Sequence, residues 1–385
     1  MKKIVRASSF FLLATLAACA TPEEQSQELA FTPVNYSTLN GWAQETPESL
    51  LPILRDECQR IERLPFETRL GGVPDFIRNG SLAGEWRGAC EALRAVPNEA
   101  QAARTYFETW FVPYAINANA FYTGYYEPLV YASAQRGGEF QTPLYAKPVD
   151  LVRARDTSGN WVNGRWQGQQ FKPYYSRAEI DRGALAGQGL ELAWLRSPED
   201  LFFLQIQGSG RLFMTDGSTR RVGFAARNGQ AYVPIGRVLV QQGELAANQV
   251  NMTTIRNWLA AHPDRAQAVL EQNPNYVFFR NISDISLDRG APGALGVPLT
   301  PGRSLAVDRK TIPLGVPIWV ETRLPDAQGH IGDWRHLTFA QDIGTDIKGA
   351  GRADLFTGWG PMAEMVAGNL HEHGRMTVLL PRPPA

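Results

Sequence analysis

The chain has 385 residues, longer than a single hydrophobic core usually supports, so more than one domain is expected. Its 38 Lys and Arg balance 38 Asp and Glu, which argues against a nucleic-acid binder, since that needs a basic excess to displace counterions. With 44% apolar and 20% charged residues it is not a disordered chain; 36 Gly and 26 Pro favour short strands and turns over a helical bundle, and three Cys are too few for a disulfide scaffold.

Lys2, Lys3 and Arg6 form a positive segment, followed by an apolar run over 10–18 that is too short to span a bilayer. Residues 1–18 therefore read as a secretory signal. The junction Leu16-Ala17-Ala18-Cys19 resembles the lipobox of bacterial lipoproteins, which implies acylation of Cys19; ordinary cleavage at Ala18-Cys19-Ala20 is the alternative. Acylation with more than one chain gives stable anchoring. Ala20 after the cysteine implies sorting to the outer membrane, so the expected location is its periplasmic face. Removing three basic residues leaves the mature chain at −3. A periplasmic protein works without ATP, nicotinamide or thiol reductants, and no cofactor is expected.

Residues 19–40 are polar and read as a lipidated tether. Three helical patterns follow. The first covers about 47–64, with Leu50, Leu54, Cys58 and Ile61 on one stripe. The second starts at Ser81 and aligns Leu82, Trp86, Cys90 and Leu93. The third starts at Asn98 and carries Tyr106, Phe107, Trp110 and Phe111. Cys58 and Cys90 lie on inward faces of neighbouring helices, and in an oxidising compartment they form either a disulfide or two buried thiols.

From residue 121 the pattern turns to short apolar runs between Gly, Pro and Asn, at 122–126, 201–206, 232–235 and 276–279, read as strands. A helix at about 253–261 is closed by His262-Pro263, and Ser176-x-x-Glu179 is a capping box. Residues 153–170 read as an exposed hairpin with Trp161 and Trp166. Strand patterns recur at 304–307, 317–321, 337–341, 355–356 and 376–380, with one helix opened by Pro361 and closed by Gly374.

Three aspartates share a setting. Asp308 and Asp342 end apolar runs, and Asp354 sits within one. Desolvation and neighbouring carboxylates raise a carboxyl's pKa, and an acid still protonated near neutral pH can donate to a leaving group. Lys310 and Lys348 lie close in sequence and are candidates to stabilise one ionised carboxylate; the competing reading of each Asp is an ordinary turn residue after a strand.

Residues 304–314 (SLAVDRKTIPL), 340–349 (AQDIGTDIKG) and 352–356 (RADLF) resemble the three-aspartate domain of bacterial cell-wall enzymes. Residues 121–128 (FYTGYYEP), 201–211 (LFFLQIQGSGR), 221–233 (RVGFAARNGQAYV) and 293–301 (GALGVPLTP) are similar to the membrane-bound lytic murein transglycosylase A family. The resemblance covers roughly 115–380. It implies a mainly β fold with helical additions: a double-psi β-barrel domain from 41–125 and 275–385, and an inserted β-rich glycan-binding domain from 126–274. It implies Asp342 as general acid and base, with Asp308 and Asp354 as supporting carboxylates. Where the family usually reads Asp-Thr-Gly followed by a small pair, this chain has Ile343 for the Thr and Thr345-Asp346 for the pair.

The implied substrate is the β-1,4 bond between N-acetylmuramic acid and N-acetylglucosamine in peptidoglycan, cleaved with formation of a 1,6-anhydro end. Aromatic candidates to cover sugar rings are Trp161, Trp166, Trp359, Tyr125 and Tyr126. Gln205 and Gln207, on one face of an expected strand, with Ser209 and Gly210 after them, suit sugar hydroxyls and acetamido groups. Glu127 and Lys348 complete the candidate groove, Glu127 being equally suited to an ion pair. The expected partners are glycan strands and membrane lipid, for a monomer.

His371-Glu372-His373 is too small a set for a metal site and reads as the C-terminus of a helix, so no metal is expected. There is no G-x-S-x-G elbow or Walker loop. Two alternatives remain: a non-catalytic glycan-binding lipoprotein, and a homodimeric aspartic-protease-like hydrolase built on Asp342-Ile343-Gly344.

Overall fold

The computed structural model describes residues 29–73, 79–155, 158–326 and 328–383. The signal segment, Cys19 and the first part of the tether lie outside them. In chain order the elements are β1 (Phe31–Pro33), α1 (Leu51–Glu62), α2 (Arg87–Leu93), α3 (Ala100–Trp110), β2 (Phe111–Ile116), β3 (Ala120–Glu127), β4 (Leu129–Ser133), β5 (Thr142–Tyr145), β6 (Val152–Arg155), β7 (Trp161–Gln167), β8 (Gln170–Pro173), α4 (Arg177–Asp181), β9 (Glu191–Leu195), α5 (Pro198–Gln207), β10 (Ser209–Met214), β11 (Thr219–Arg227), α6 (Ile235–Gln241), α7 (Met252–Ala261), α8 (Pro263–Leu270), β12 (Val277–Ile282), β13 (Ser304–Val307), β14 (Pro317–Pro325), β15 (Ile331–Asp342), β16 (Arg352–Trp359), α9 (Gly360–Asn369) and β17 (His371–Pro381).

The helical stripes bury as their spacing dictates. Leu51, Leu54, Cys58 and Ile61 of α1 meet Trp86, Cys90 and Leu93 in one core with the strands of the largest sheet. Full burial of each such Leu or Ile contributes about 1.5–3 kcal/mol. Cys58 and Cys90 are joined in a disulfide, with Cα atoms 5.3 Å apart. The third helix ends one residue early, because Phe111 already pairs as the first residue of β2 with Pro381 of β17.

Strands β17, β14, β15, β13, β16 and β3 pair in that order, and β3 pairs back to β17, closing a six-stranded barrel that β1 and β2 extend at the edge. Two of its pairings, β13 with β15 and β16 with β3, are parallel. A second, six-stranded sheet runs β12-β11-β10-β4-β9-β5, and a small sheet β6-β7-β8 stands apart.

Four expectations are corrected. Residues 201–206 are not a strand but lie in α5. Ser197 caps that helix by accepting the Asp200 N–H, Pro198 opens it, and Gly208 closes it at φ +77°. The run looked like a strand because the helix is buried all round, Leu201 and Leu204 entering one core and Phe202 and Phe203 another. Residues 232–234 form no strand, and Ile235 opens α6. His262-Pro263 does not end the helical region, since Pro263 is the first residue of α8. The helix opened near Pro361 stops at Asn369, so His371, Glu372 and His373 belong to β17, paired with β3. Gly374 serves a strand crossing instead, where a Cβ would lie 2.1 Å from the Glu321 carbonyl oxygen.

Candidate active site

The barrel register brings two carboxylates to one level. Ala306 of β13 stands opposite Asp342 of β15 on one side and Asp354 of β16 on the other. Asp354 in turn stands opposite Thr123 of β3, and Tyr125 follows two residues on, on the same face. Below them Tyr125, Leu299, Ala306, Ile347 and Phe356 form an apolar floor, with Trp359 at its rim.

Asp342 keeps some surface exposure as a residue, while its carboxyl is encased. Oδ1 accepts the N–H groups of Ala294 (3.0 Å) and Ile343 (2.9 Å), and Oδ2 accepts the Tyr125 hydroxyl (3.0 Å). Burial pushes the carboxyl up to about 6, against these three donors and with a smaller contribution from the charge of Asp354. Asp354 is also raised by burial; it accepts the Thr123 hydroxyl at 2.7 Å, and Arg352 beside it opposes the rise. Arg352 donates to the same Thr123 oxygen at 2.7 Å, forming a relay from guanidinium through hydroxyl to carboxylate. The Tyr125 hydroxyl is itself held well above its ordinary range by burial and by Asp342, so it stays a donor.

Asp308 belongs to a different network. Its carboxyl accepts the backbone N–H groups of Lys310 (3.0 Å) and Gly349 (2.8 Å), tying the turn after β13 to the loop after β15. Among the described residues it makes no hydrogen bond to Asp342 or Asp354. Lys310 and Lys348 are exposed, and Lys348 acts on Asp346.

The other sequence candidates are dispersed. Because α5 is a helix, Gln205 and Gln207 do not share a face. Gln205 is buried and donates to the Val277 carbonyl (3.0 Å), while Gln207 accepts the Tyr126 N–H (3.0 Å). Ser209 is buried at the start of β10. A Cβ on Gly210 would lie 2.3 Å from a methyl of Leu204, so that glycine serves helix–strand packing rather than open access. Tyr126 is buried under Ala363 and Ala367 of α9. Glu127 is fully buried and is the hub of an ion cluster, with Arg211 at 2.9 Å, Arg221 at 3.5 Å and the Ala291 N–H at 2.8 Å. The Arg211 guanidinium also lies 3.9 Å from the Trp359 ring centre. Trp161 and Trp166 sit on the small sheet.

Beside β3, between α9 on one side and α5 and α7 on the other, lies a cavity of about 490 Å³. Thr123, Gln207, Asn251, Met252, Asn369 and His371 are among its walls, so Thr123 links this space to Asp354. Sequence reasoning missed Thr123, Arg352, the Ala294 N–H and the Asn251–Met252 wall. Only Thr123 left a signal, its two-residue spacing from Tyr125 on a strand.

These features have counterparts in known proteins. Residues 121–280 match the MltA specific insert domain and residues 303–380 match the 3D domain. The chain is 34% identical over 311 residues to membrane-bound lytic murein transglycosylase A of Escherichia coli K12, covering 80% of this chain and 78% of that protein. It is 32% identical over 265 residues to the Vibrio cholerae protein of the same name, covering 67% and 64%. Among solved structures, a membrane-bound lytic murein transglycosylase from Agrobacterium tumefaciens superposes with a TM-score of 0.82 at 34% identity, over 92% of this chain and 98% of that one. Escherichia coli MltA with bound chitohexaose gives 0.64 at 28% identity, over 92% of both chains. The chain belongs to the membrane-bound lytic murein transglycosylase A family.

Proposed function

We propose that this chain is a peptidoglycan lytic transglycosylase that cleaves the β-1,4 bond between N-acetylmuramic acid and N-acetylglucosamine, with Asp342 as its single acid and base. The observation that carries the assignment of the acid is the state of Asp342: an encased carboxyl, raised to about 6, on the apolar floor beside Asp354. Oδ1 already takes two N–H bonds, so the proton to be transferred sits on Oδ2, beside the Tyr125 hydroxyl.

In the first step Asp342 gives that proton to the glycosidic oxygen as the bond from C1 to oxygen breaks. The N-acetylglucosamine leaves as an alcohol, and positive charge gathers at C1 of the muramic residue. In the second step the C6 hydroxyl of the same residue attacks C1, and its proton returns to the Asp342 carboxylate. The product is a 1,6-anhydro end, with no water consumed. A hydrolysing glycosidase usually needs a second carboxylate as nucleophile or base. The intramolecular hydroxyl replaces it and reacts with the advantage of proximity. Asp354, held by Thr123 and Arg352, biases the proton on Asp342, and Asp308 supports the loop that follows it.

The finer architecture follows the same reading. The mixed parallel and antiparallel pairing of the closed sheet supports a double-psi barrel, with the segment 126–274 as a domain set into it. Trp359 stands at the site's rim with the Arg211 guanidinium over its ring. Cys19 is the acylation site that attaches the chain to the outer membrane. The protease alternative, which needs the Asp342-Ile343-Gly344 element of a second copy, is disfavoured because the similar proteins named above are lytic murein transglycosylases.

The test is digestion of purified sacculi followed by mass spectrometry. Anhydro-muropeptides are expected, and hydrated reducing ends or binding without release would exclude the transglycosylase. Asp342→Asn is expected to lower the rate by at least about 100-fold while leaving sacculus binding intact. Surviving activity would move the acid elsewhere.

A further inference from the structure

The small sheet β6-β7-β8 takes no part in the site described above, and its chemistry is unlike the rest of the chain. Its register sets Arg155 opposite Trp161, Arg153 opposite Asn163 and Arg165 opposite Lys172. Directly opposed residues share a face, as do alternate residues along a strand. Arg153, Arg155, Trp161, Arg165 and Lys172 therefore project from one face. Arg153, Arg155 and Lys172 are exposed, and Arg165 is half-buried over the Tyr175 ring. The Asn163 amide donates to the Arg227 carbonyl, which brings another exposed cation alongside. The described residues of the three strands and their turns include no Asp or Glu, and Asp156 is the single acid in this stretch of sequence. In a chain of zero formal charge this is a marked segregation.

The aromatic residues narrow the partner. Trp161 and Trp166 are 55% and 56% exposed, and Val149, just before β6, is 94% exposed. Both the Arg153 and Arg155 guanidinium groups lie over the Trp161 ring, at 5.5 and 5.3 Å. A ring face covered by cations is poorly suited to stacking on a neutral sugar. The exposed Trp161 indole among basic side chains matches the headgroup layer of an anionic bilayer, where the ring sits at the interface and the cations meet phosphate, while Trp166 projects from the opposite face against Phe171. We propose that the β6–β8 sheet is a docking finger that presents its cationic face, with Trp161 on it, to anionic phospholipid headgroups.

The test uses the chain from residue 20 onward, which retains every described element and lacks Cys19. It is sedimented with phosphatidylcholine vesicles and with vesicles containing roughly a third phosphatidylglycerol. Binding to the anionic vesicles alone is expected, with a blue shift in tryptophan emission and release at about 0.5 M salt. R153Q/R155Q is expected to weaken partitioning roughly thirtyfold, the factor equivalent to about 1 kcal/mol per basic side chain at an anionic surface. That variant is expected to release anhydro-muropeptides from isolated sacculi at the wild-type rate, which separates this proposal from the catalytic one. Equal binding to both vesicles, or vesicle binding unchanged in R153Q/R155Q, would overturn it. So would unchanged vesicle binding with weaker retention on sacculi, which would identify the carboxylates of wall peptides as the partner. If R153Q/R155Q loses its circular dichroism, Lys172→Gln and the salt titration of the parent chain decide by the same criteria.

Discussion

Replacing Tyr125 by Phe isolates one contribution to the acidity of Asp342. The hydroxyl donates to Oδ2 at 3.0 Å and stays protonated, because burial holds its own pKa well above the ordinary value. It stabilises the ionised carboxylate, so its loss raises the carboxyl's pKa. A hydrogen bond to a charged group contributes about 1.5–3 kcal/mol net, and one pKa unit corresponds to about 1.4 kcal/mol. Asp342 is therefore expected to move from about 6 to roughly 7–8. The first step needs the protonated form, so activity falls as pH rises through this pKa. In Tyr125→Phe that alkaline limb of kcat/KM should shift upward by one to two pH units, read as anhydro-muropeptide release from sacculi across the pH range. The fold should survive, since Phe keeps the ring that packs 5.3 Å from Phe356. An unmoved limb, or one displaced downward, would refute both the donor role of Tyr125 and the assignment of the limb to Asp342.

Three further outcomes are expected. Cys58→Ala with Cys90→Ala opens a loop spanning 32 residues; it should cost about 4 kcal/mol of unfolding free energy in a denaturant titration, and a loss below about 1 kcal/mol would contradict the chain-entropy argument. Glu127→Ala leaves Arg211 and Arg221 buried without their carboxylate and should cost about 3–5 kcal/mol, read as a fall in thermal midpoint; a neutral effect would mean that the cluster is solvated. Gly124→Ala would set a Cβ 2.6 Å from the Ala367 Cα, forcing α9 off β3 at a cost of about 1–3 kcal/mol; a crystal structure of the variant with α9 unmoved would exclude the packing argument.

What was legible in the sequence and what was not separates along physical lines. The stripes of α1 and α2 were readable because a helix half in contact with a core repeats its apolar residues every three or four positions, and that placed Cys58 and Cys90 face to face. Asp342 at the end of β15 and Asp354 inside β16 were readable because an acid in or after an apolar run is unusual. α5 was misread because a helix buried on every side has no polar face, so its composition imitates a strand. The signal that tells them apart was present in Ser197-Pro198-Glu199-Asp200 before the run and Gly208 after it. The place of His371 and His373 is not legible because Gly374 has the composition of a helix terminator, whereas the helix ends on Leu370 without a glycine. The Ala294 N–H, the Thr123 relay and the Glu127 cluster were beyond reach for another reason: each joins residues more than 40 positions apart, and only tertiary register pairs them.

A single carboxyl that must give a proton and then take one back is constrained from both sides. Held only by its three donors, Asp342 would stay ionised near neutral pH; desolvated without them, it would hold its proton too tightly to donate. The observed balance near 6 leaves about a tenth of the molecules protonated at pH 7 and about nine tenths at pH 5. Asp354 shows that the balance is local: it too is raised by burial, but its main donor is a side-chain hydroxyl that also bonds Arg352. Ile343 fits this balance without contributing a hydroxyl. Its backbone N–H still reaches Oδ1, while its side chain is 48% exposed. A hydroxyl there that reached the carboxylate would add a fourth donor and lower the pKa further. With the Tyr125 hydroxyl already on Oδ2, an isoleucine at 343 leaves three donors, the set that keeps the acid poised.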